Sequence, residues 1–221
     1  MIRELTGGRR EAASGETKSL VVFLHGYGAD GNDLLGLAEP LAPHLPDTVF
    51  LAPNAPEKCL TNPIGYQWFP IPWLDGSAEE AATASMKQSA KDLDAFLDKA
   101  IENEGVTADD VILFGFSQGT MIGLHVAPRR SEQVAGVVGF SGRLLAPEQL
   151  KEQVVSKPPV LLIHGNQDEV VPFESLQEAG NALNTTGFEV YAHVMEGTGH
   201  GISPDGLSVA LAFMREKLGV D

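Results

Sequence analysis

The 221-residue chain reads as a single α/β domain, a mostly parallel central sheet with helices on both faces. Two observations predict it. Short apolar, β-branched runs alternate with longer amphipathic segments along the whole length, the pattern of a parallel sheet whose crossovers are helices. The length suits one core rather than two, and no internal repeat, low-complexity tract or linker divides residues 1–221.

The elements follow in order. Strands are expected at about 19–24, 47–52, 110–115, 134–140, 159–164 and 188–195, each an apolar run bounded by turn residues. A short edge strand is expected earlier, near Ile2 to Leu5. The longest helix should begin near Ala78, because Met86, Ala90, Leu93, Leu97, Ala100 and Ile101 recur at spacings of three and four. That stripe is a core face. Between Ser141 and Pro159 there is room for one short helix, about Pro147 to Val154, and for no cap domain. A last helix from about Gly206 to Leu218 closes the domain.

The chemistry concentrates at Gly115-Phe116-Ser117-Gln118-Gly119, directly after Val111-Ile112-Leu113-Phe114. A serine between two glycines, with a buried strand before it and a helix after it, has the form of a nucleophile elbow. The sharp turn lifts the serine oxygen clear of the sheet, and a Cβ at Gly115 or Gly119 would crowd neighbouring backbone. A serine needs a base, and the base an orienting acid. On such a sheet both follow the serine. His25 and His44 precede it, His125 sits in the elbow helix, and His164 and His193 lie in strands. His200 stands in the loop Gly197-Thr198-Gly199-His200-Gly201, where a side chain can reach over the end of the sheet, and is the expected base. Asp168 lies just past the strand ending His164-Gly165, where open α/β sheets build their sites, and is the expected acid. Ser141, in Val138-Gly139-Phe140-Ser141-Gly142, copies part of the elbow without its second glycine and reads as structural.

An acyl-transfer site also needs oxyanion donors. One is the amide of Gln118. The other should come from His25-Gly26-Tyr27-Gly28-Ala29-Asp30-Gly31, after the first long strand, with Tyr27 the best placed. The same loop matches G-x-G-x-x-G by letter, but no acidic residue closes a second strand at the right distance. No Lys-Ser or Lys-Thr makes it a Walker loop. Acyl transfer explains more residues than nucleotide binding.

Together with Leu24 to Gly31, Ala52-Pro53-Asn54-Ala55-Pro56, Trp68-Phe69, His164-Gly165 with Asp168 and Val171-Pro172, and Gly199-His200, the elbow resembles the phospholipase/carboxylesterase family. This is the acyl-protein-thioesterase-like branch of the α/β-hydrolases, and the resemblance runs from about residue 18 to the end. It implies an α/β-hydrolase fold and an esterase or thioesterase with Ser117, Asp168 and His200 as triad and the amides of Tyr27 and Gln118 as oxyanion hole. Two departures stand out. Thr120 replaces the family's usual second glycine after the elbow, and Pro70 with a longer apolar loop replaces an aspartate often found after the Trp-Phe pair.

That loop, Ile64 to Leu74, alternates aromatics with prolines and holds both tryptophans. It could plug the core or wall the substrate pocket. Its prolines keep it out of the sheet and favour a wall, with Trp68, Phe69 and Trp73 as substrate contacts and Val171 opposite. An uncapped apolar groove suits small to medium acyl esters, so the expected activity is a broad carboxylesterase strongest on short chains. Thioesterase or lysophospholipase activity could use the same site, and a non-catalytic hydrolase-fold binding protein is the rival from another class.

The net charge of −15, from 30 acidic and 15 basic residues, argues against nucleic acid and anionic bilayers as partners. No apolar segment reads as a signal peptide or membrane span. The lone Cys59 excludes an internal disulfide, and no His/Cys spacing indicates a metal. No cofactor is implied. A cytoplasmic enzyme acting on a small-molecule ester is expected. A homodimer is compatible with the sequence.

Overall fold

The computed structural model describes residues 1–220. Nine strands are present among them: β1 (Gly7–Arg10), β2 (Ser19–Leu24), β3 (Thr48–Pro53), β4 (Glu57–Lys58), β5 (Tyr66–Gln67), β6 (Val111–Phe116), β7 (Gly136–Phe140), β8 (Val160–Gly165) and β9 (Val190–Met195). The helices are α1 (Gly31–Leu35), α2 (Ala38–Leu41), α3 (Pro72–Asp75), α4 (Glu79–Glu104), α5 (Gln118–Val126), α6 (Pro147–Gln153), α7 (Glu174–Thr185) and α8 (Pro204–Lys217). Seven strands form one sheet in the order β1-β3-β2-β6-β7-β8-β9. Only β1 runs antiparallel.

Alternation along the strands sorts the core into two layers. Leu20, Val22, Leu24, Leu113 and Leu162 face α4, α5, α6 and α7. Val21, Phe23, Phe50, Ile112, Phe114 and Ile163 face α1, α2 and α8. Because side chains alternate with a period of two, consecutive apolar residues serve opposite faces, as a sheet buried on both sides requires. Phe50, Phe23, Phe114 and Phe140 form an aromatic row across four adjacent strands, with ring centroids 5.8, 5.2 and 5.1 Å apart.

The edge strand expected at Ile2 to Leu5 lies instead at Gly7–Arg10. The physical reason is close approach: a Cβ at Gly7 would overlap the Ala52 carbonyl, so glycine is what fits beside β3. The preceding residues are held elsewhere. Leu5 enters the core, and Arg3 donates through Nε to the buried Asp92 of α4 at 2.7 Å and through Nη1 to Glu57 at 3.1 Å. Only α6 occupies the stretch between β7 and β8, so the carboxyl ends of the central strands carry no cap domain.

Candidate active site

Ser117 occupies the turn between β6 and α5 with φ 54° and ψ −116°, a conformation that non-glycine residues avoid. Packing holds it there. A Cβ at Gly115 would stand 2.5 Å from the Thr120 nitrogen, and one at Gly119 would overlap the Leu24 carbonyl. The elbow helix therefore sits directly on the end of β2. The Ser117 amide donates to the Phe140 carbonyl at 2.9 Å. Thr120, the residue that departs from the family pattern, donates its hydroxyl to the same carbonyl at 2.8 Å. Its methyl fills the space left by Gly139, where a Cβ would come within 2.6 Å of Thr120 Cγ2.

Asp168 and His200 meet at the other side of the elbow. His200 Nδ1 and Asp168 Oδ2 are 2.7 Å apart. The second carboxylate oxygen accepts the amides of Val170 and Val171, both at 2.9 Å. Burial alone would push the Asp168 carboxyl up; the His200 hydrogen bond and those of Val171 and Val170 outweigh it and hold the group below its ordinary range. A carboxylate only accepts, so Nδ1 carries the proton and Nε2 of a neutral His200 keeps its lone pair. The loop bearing His200 is seated by Gly165, whose Cβ would stand 2.5 Å from the Gly199 oxygen. The His200 ring lies 4.9 Å, centroid to centroid, from Phe116, the residue before the serine.

The loop after β2 packs against the elbow: a Cβ on Gly26 would lie 3.4 Å from Ser117 Cβ. His25 is a scaffold of this loop. Its Nε2 accepts the Ala55 amide at 2.9 Å, so Nδ1 is the donor to the Gly26 carbonyl at 2.8 Å, and burial lowers its pKa. Among the described residues, the amides of Tyr27 and Gln118 have no protein acceptor. The first intrahelical bond of α5 runs from Met121 to the Ser117 carbonyl, leaving the helix N-terminus open beside the serine. The Tyr27 hydroxyl donates to Asp75 at 3.2 Å, and the same carboxylate oxygen accepts the Ile71 amide at 2.7 Å. One carboxylate thus ties α3 to the loop carrying Tyr27.

The aromatic loop divides between plug and wall. Trp68 is wholly buried, its indole donating to the His25 carbonyl at 3.0 Å. Its expected role as a substrate contact is corrected: it is a core residue packed under the loop that carries Tyr27. Val171, expected opposite the pocket, is buried beside the Asp168–His200 pair, its amide donating to Asp168 and its carbonyl bonded to His164 Nε2 at 2.9 Å. Phe69 and Trp73 line a groove of about 790 Å³ that runs between α4, α5 and α6. A smaller cavity of about 390 Å³ is bordered by His25, Gly26, Phe116 and Ile202. The Gln118 side chain was not foreseen. It accepts the Trp68 amide at 2.8 Å and donates to the Phe69 carbonyl at 2.7 Å, clamping the aromatic loop to the elbow. Nothing in the elbow pattern reveals that, because the position after the serine tolerates many residues. Ser141 also has positive φ, 47°, but its hydroxyl is buried without a partner among the described residues and faces neither cavity.

No group of three or more metal-ligating side chains occurs among the described residues, nor any helix long and apolar enough to cross a membrane. Among solved structures, that of esterase PE8 superposes with a TM-score of 0.92 at 44% identity, covering 98% of this chain and all of that one. Acyl-protein thioesterase 1 of Gibberella zeae is 27% identical over 93% of each chain. A probable carboxylesterase of Oryza sativa subsp. japonica is 29% identical over 89% of this chain and 76% of its own. The phospholipase/carboxylesterase family pattern matches residues 10–218, nearly the whole of the fold and every element of the site, and the chain belongs to that hydrolase family.

Proposed function

We propose that the chain is a carboxylic ester hydrolase that works through an acyl-enzyme on Ser117. The observation that carries this is the Asp168–His200 pair at 2.7 Å, on a ring packed beside the residue that precedes a strained serine. Ser117 attacks the ester carbonyl while Nε2 of His200 takes its proton. Asp168 holds the imidazole in the required tautomer and favours the imidazolium. The amides of Tyr27 and Gln118 receive the negative charge that forms on the carbonyl oxygen. His200 then protonates the departing alcohol, and in the second half activates water to release the acid. The similarity to esterase PE8 supports ester hydrolysis, and the uncapped groove beside the elbow suits short to medium acyl chains.

Relatives named acyl-protein thioesterase favour a second reading, hydrolysis of thioesters by the same residues; lysophospholipid esters are a third substrate for the same chemistry. A fluorophosphonate probe tests the common mechanism. The native protein should be labelled, and Ser117→Ala and His200→Ala should not. Steady-state turnover of both variants should fall at least about a thousandfold. Ordinary activity in Ser117→Ala would end the proposal. Matched esters and thioesters of graded length then separate the readings by kcat/KM.

A further inference from the structure

The larger groove carries more information than its apolar floor. Its near end adjoins the elbow: Met121 follows Ser117 by one helical turn, and Leu144 follows Gly142, whose Cβ would lie 3.0 Å from the Ser117 carbonyl oxygen. From there it runs along α5 to His125 and Arg129. Ser117 and His125 are eight residues apart on this helix, about 12 Å at 1.5 Å per residue.

The far end is basic. His125 is 8% exposed and lines the groove, and its Nδ1 is buried with no hydrogen-bond partner among the described residues. Arg129 lies beside it, its guanidinium fixed by the His125 carbonyl at 2.7 Å and by Gln153. Lys87 of α4 is close enough to add to the field at His125, whose pKa burial, Arg129 and Lys87 together depress to about 4. Lys91 and Arg143 also line the groove. Lys87, Lys91 and Arg143 take part in no ion pair among the described residues. Against these cations stand Glu79, Glu148 and Asp94, and Asp94 is already bound by Arg130. In a chain with twice as many acids as bases, this local excess of positive charge is the reverse of the average surface. An apolar channel that ends among unpaired cations suits a ligand that is apolar along its length and anionic at its tip.

We propose that this groove is a subsite for an ester arm with an apolar body and an anionic terminus, seated at His125, Lys87 and Arg129 about 12 Å from the scissile carbonyl. The proposal rests on the ester-hydrolase reading and names a substrate class for it: half-esters of long dicarboxylic acids, or esters of long hydroxy acids, whose carboxylates supply the same terminus. Short neutral esters need only the near end. Long neutral chains would push an apolar tip into the basic corner, and a terminal carboxylate turns that penalty into attraction.

The test is a chain-length series on the full-length protein. Nitrophenyl half-esters of dicarboxylic acids, from succinate to tetradecanedioate, are compared with the methyl-terminated esters of equal length. Acetate esters of hydroxy acids of the same lengths place the carboxylate on the alcohol arm instead. A carboxylate preference in kcat/KM of about tenfold or more is expected on one arm at the long lengths, none at succinate, and it should shrink at high salt. Lys87→Glu, an exposed position, should reduce the preference below about twofold, as should His125→Gln if it folds. Lys99→Glu, on the same helix outside the groove, should leave it unchanged. Equal or better hydrolysis of neutral chains at every length in both series overturns the inference, as does a preference that survives Lys87→Glu. Neither result touches the nucleophile, because short neutral esters read Ser117→Ala separately.

Discussion

Asp168 does two things at once, and they can be separated. One oxygen orients His200, while the other ties down the amides of Val170 and Val171 that shape the turn after β8. Replacing it with asparagine keeps an acceptor for those amides but removes the charge that selects the His200 tautomer, so Asp168→Asn should remain folded and lose about four orders of magnitude in kcat. The stability effect has a definite sign. The folded-state pKa of Asp168 is depressed, so its contribution is complete above the unfolded carboxyl value of about 4 and fades as the pH falls through the lower folded value. Melting temperatures of native and Asp168→Asn protein should therefore differ most at neutral pH and converge in acid. A gap that stayed constant down to pH 2 would mean the ionised form is not the stabilising one. The pairing of Asp168 with His200 was legible because the chemistry expected of them dictates type, chain order and loop position. Gln118, Asp75 and the Gly165 seat were not, because each acts through a contact that only the folded chain creates.

At the scale of elements, the elbow helix shows how one departure from a family pattern is absorbed. Thr120 stands where a glycine is usual, on a helix that must lie close to β7. The space for its methyl comes from Gly139, on the neighbouring strand. The two positions should then be coupled. Gly139→Ala alone overpacks this site and should cost about 1–3 kcal/mol. In a Thr120→Ser background, which keeps the hydroxyl for Phe140 and removes the methyl, most of that cost should vanish, a coupling of about 1 kcal/mol or more in a denaturation double-mutant cycle. Additive costs would show that the contact carries no weight. The long elements were readable from period alone: the stripe from Met86 to Ile101 belongs to α4, and the five central strands fall within two residues of expectation. The first strand was not, because glycines have no hydrophobic period and β1 is selected by backbone approach to Ala52. The aromatic loop was read as a wall and is half plug. Its prolines do exclude it from the central sheet, but burial of the Trp68 indole depends on an accepting carbonyl in a loop more than forty residues earlier.

For the whole molecule, charge is the property that composition shows in total and hides in detail. Thirty acids face 15 bases, so even complete pairing would leave 15 negative charges unmatched. Several bases are committed to local work: Arg3 to Asp92 and Glu57, Arg9 to Glu104, and Arg130 to Asp94 and Asp98. Others collect along the groove, which leaves the remaining surface more acidic than the average implies. Salt acts on these two populations in opposite directions. Screening weakens the ion pairs, but those at the surface contribute no more than about 1 kcal/mol each and often nothing. It also relieves repulsion among all the unmatched acids, and that repulsion is summed over the whole surface within a Debye length that falls from about 30 Å at 0.01 M to about 3 Å at 1 M. The second effect should win, so the melting temperature in sodium chloride should rise over that range by a few degrees, on the order of 1 kcal/mol for a domain of this size. Turnover of a short neutral ester should stay flat over the same range, since its chemistry is confined to a site where no long-range field is needed. A melting temperature that fell with added chloride would mean that the pairs anchoring the first residues to α4 hold more of the fold together than the acidic surface drives apart.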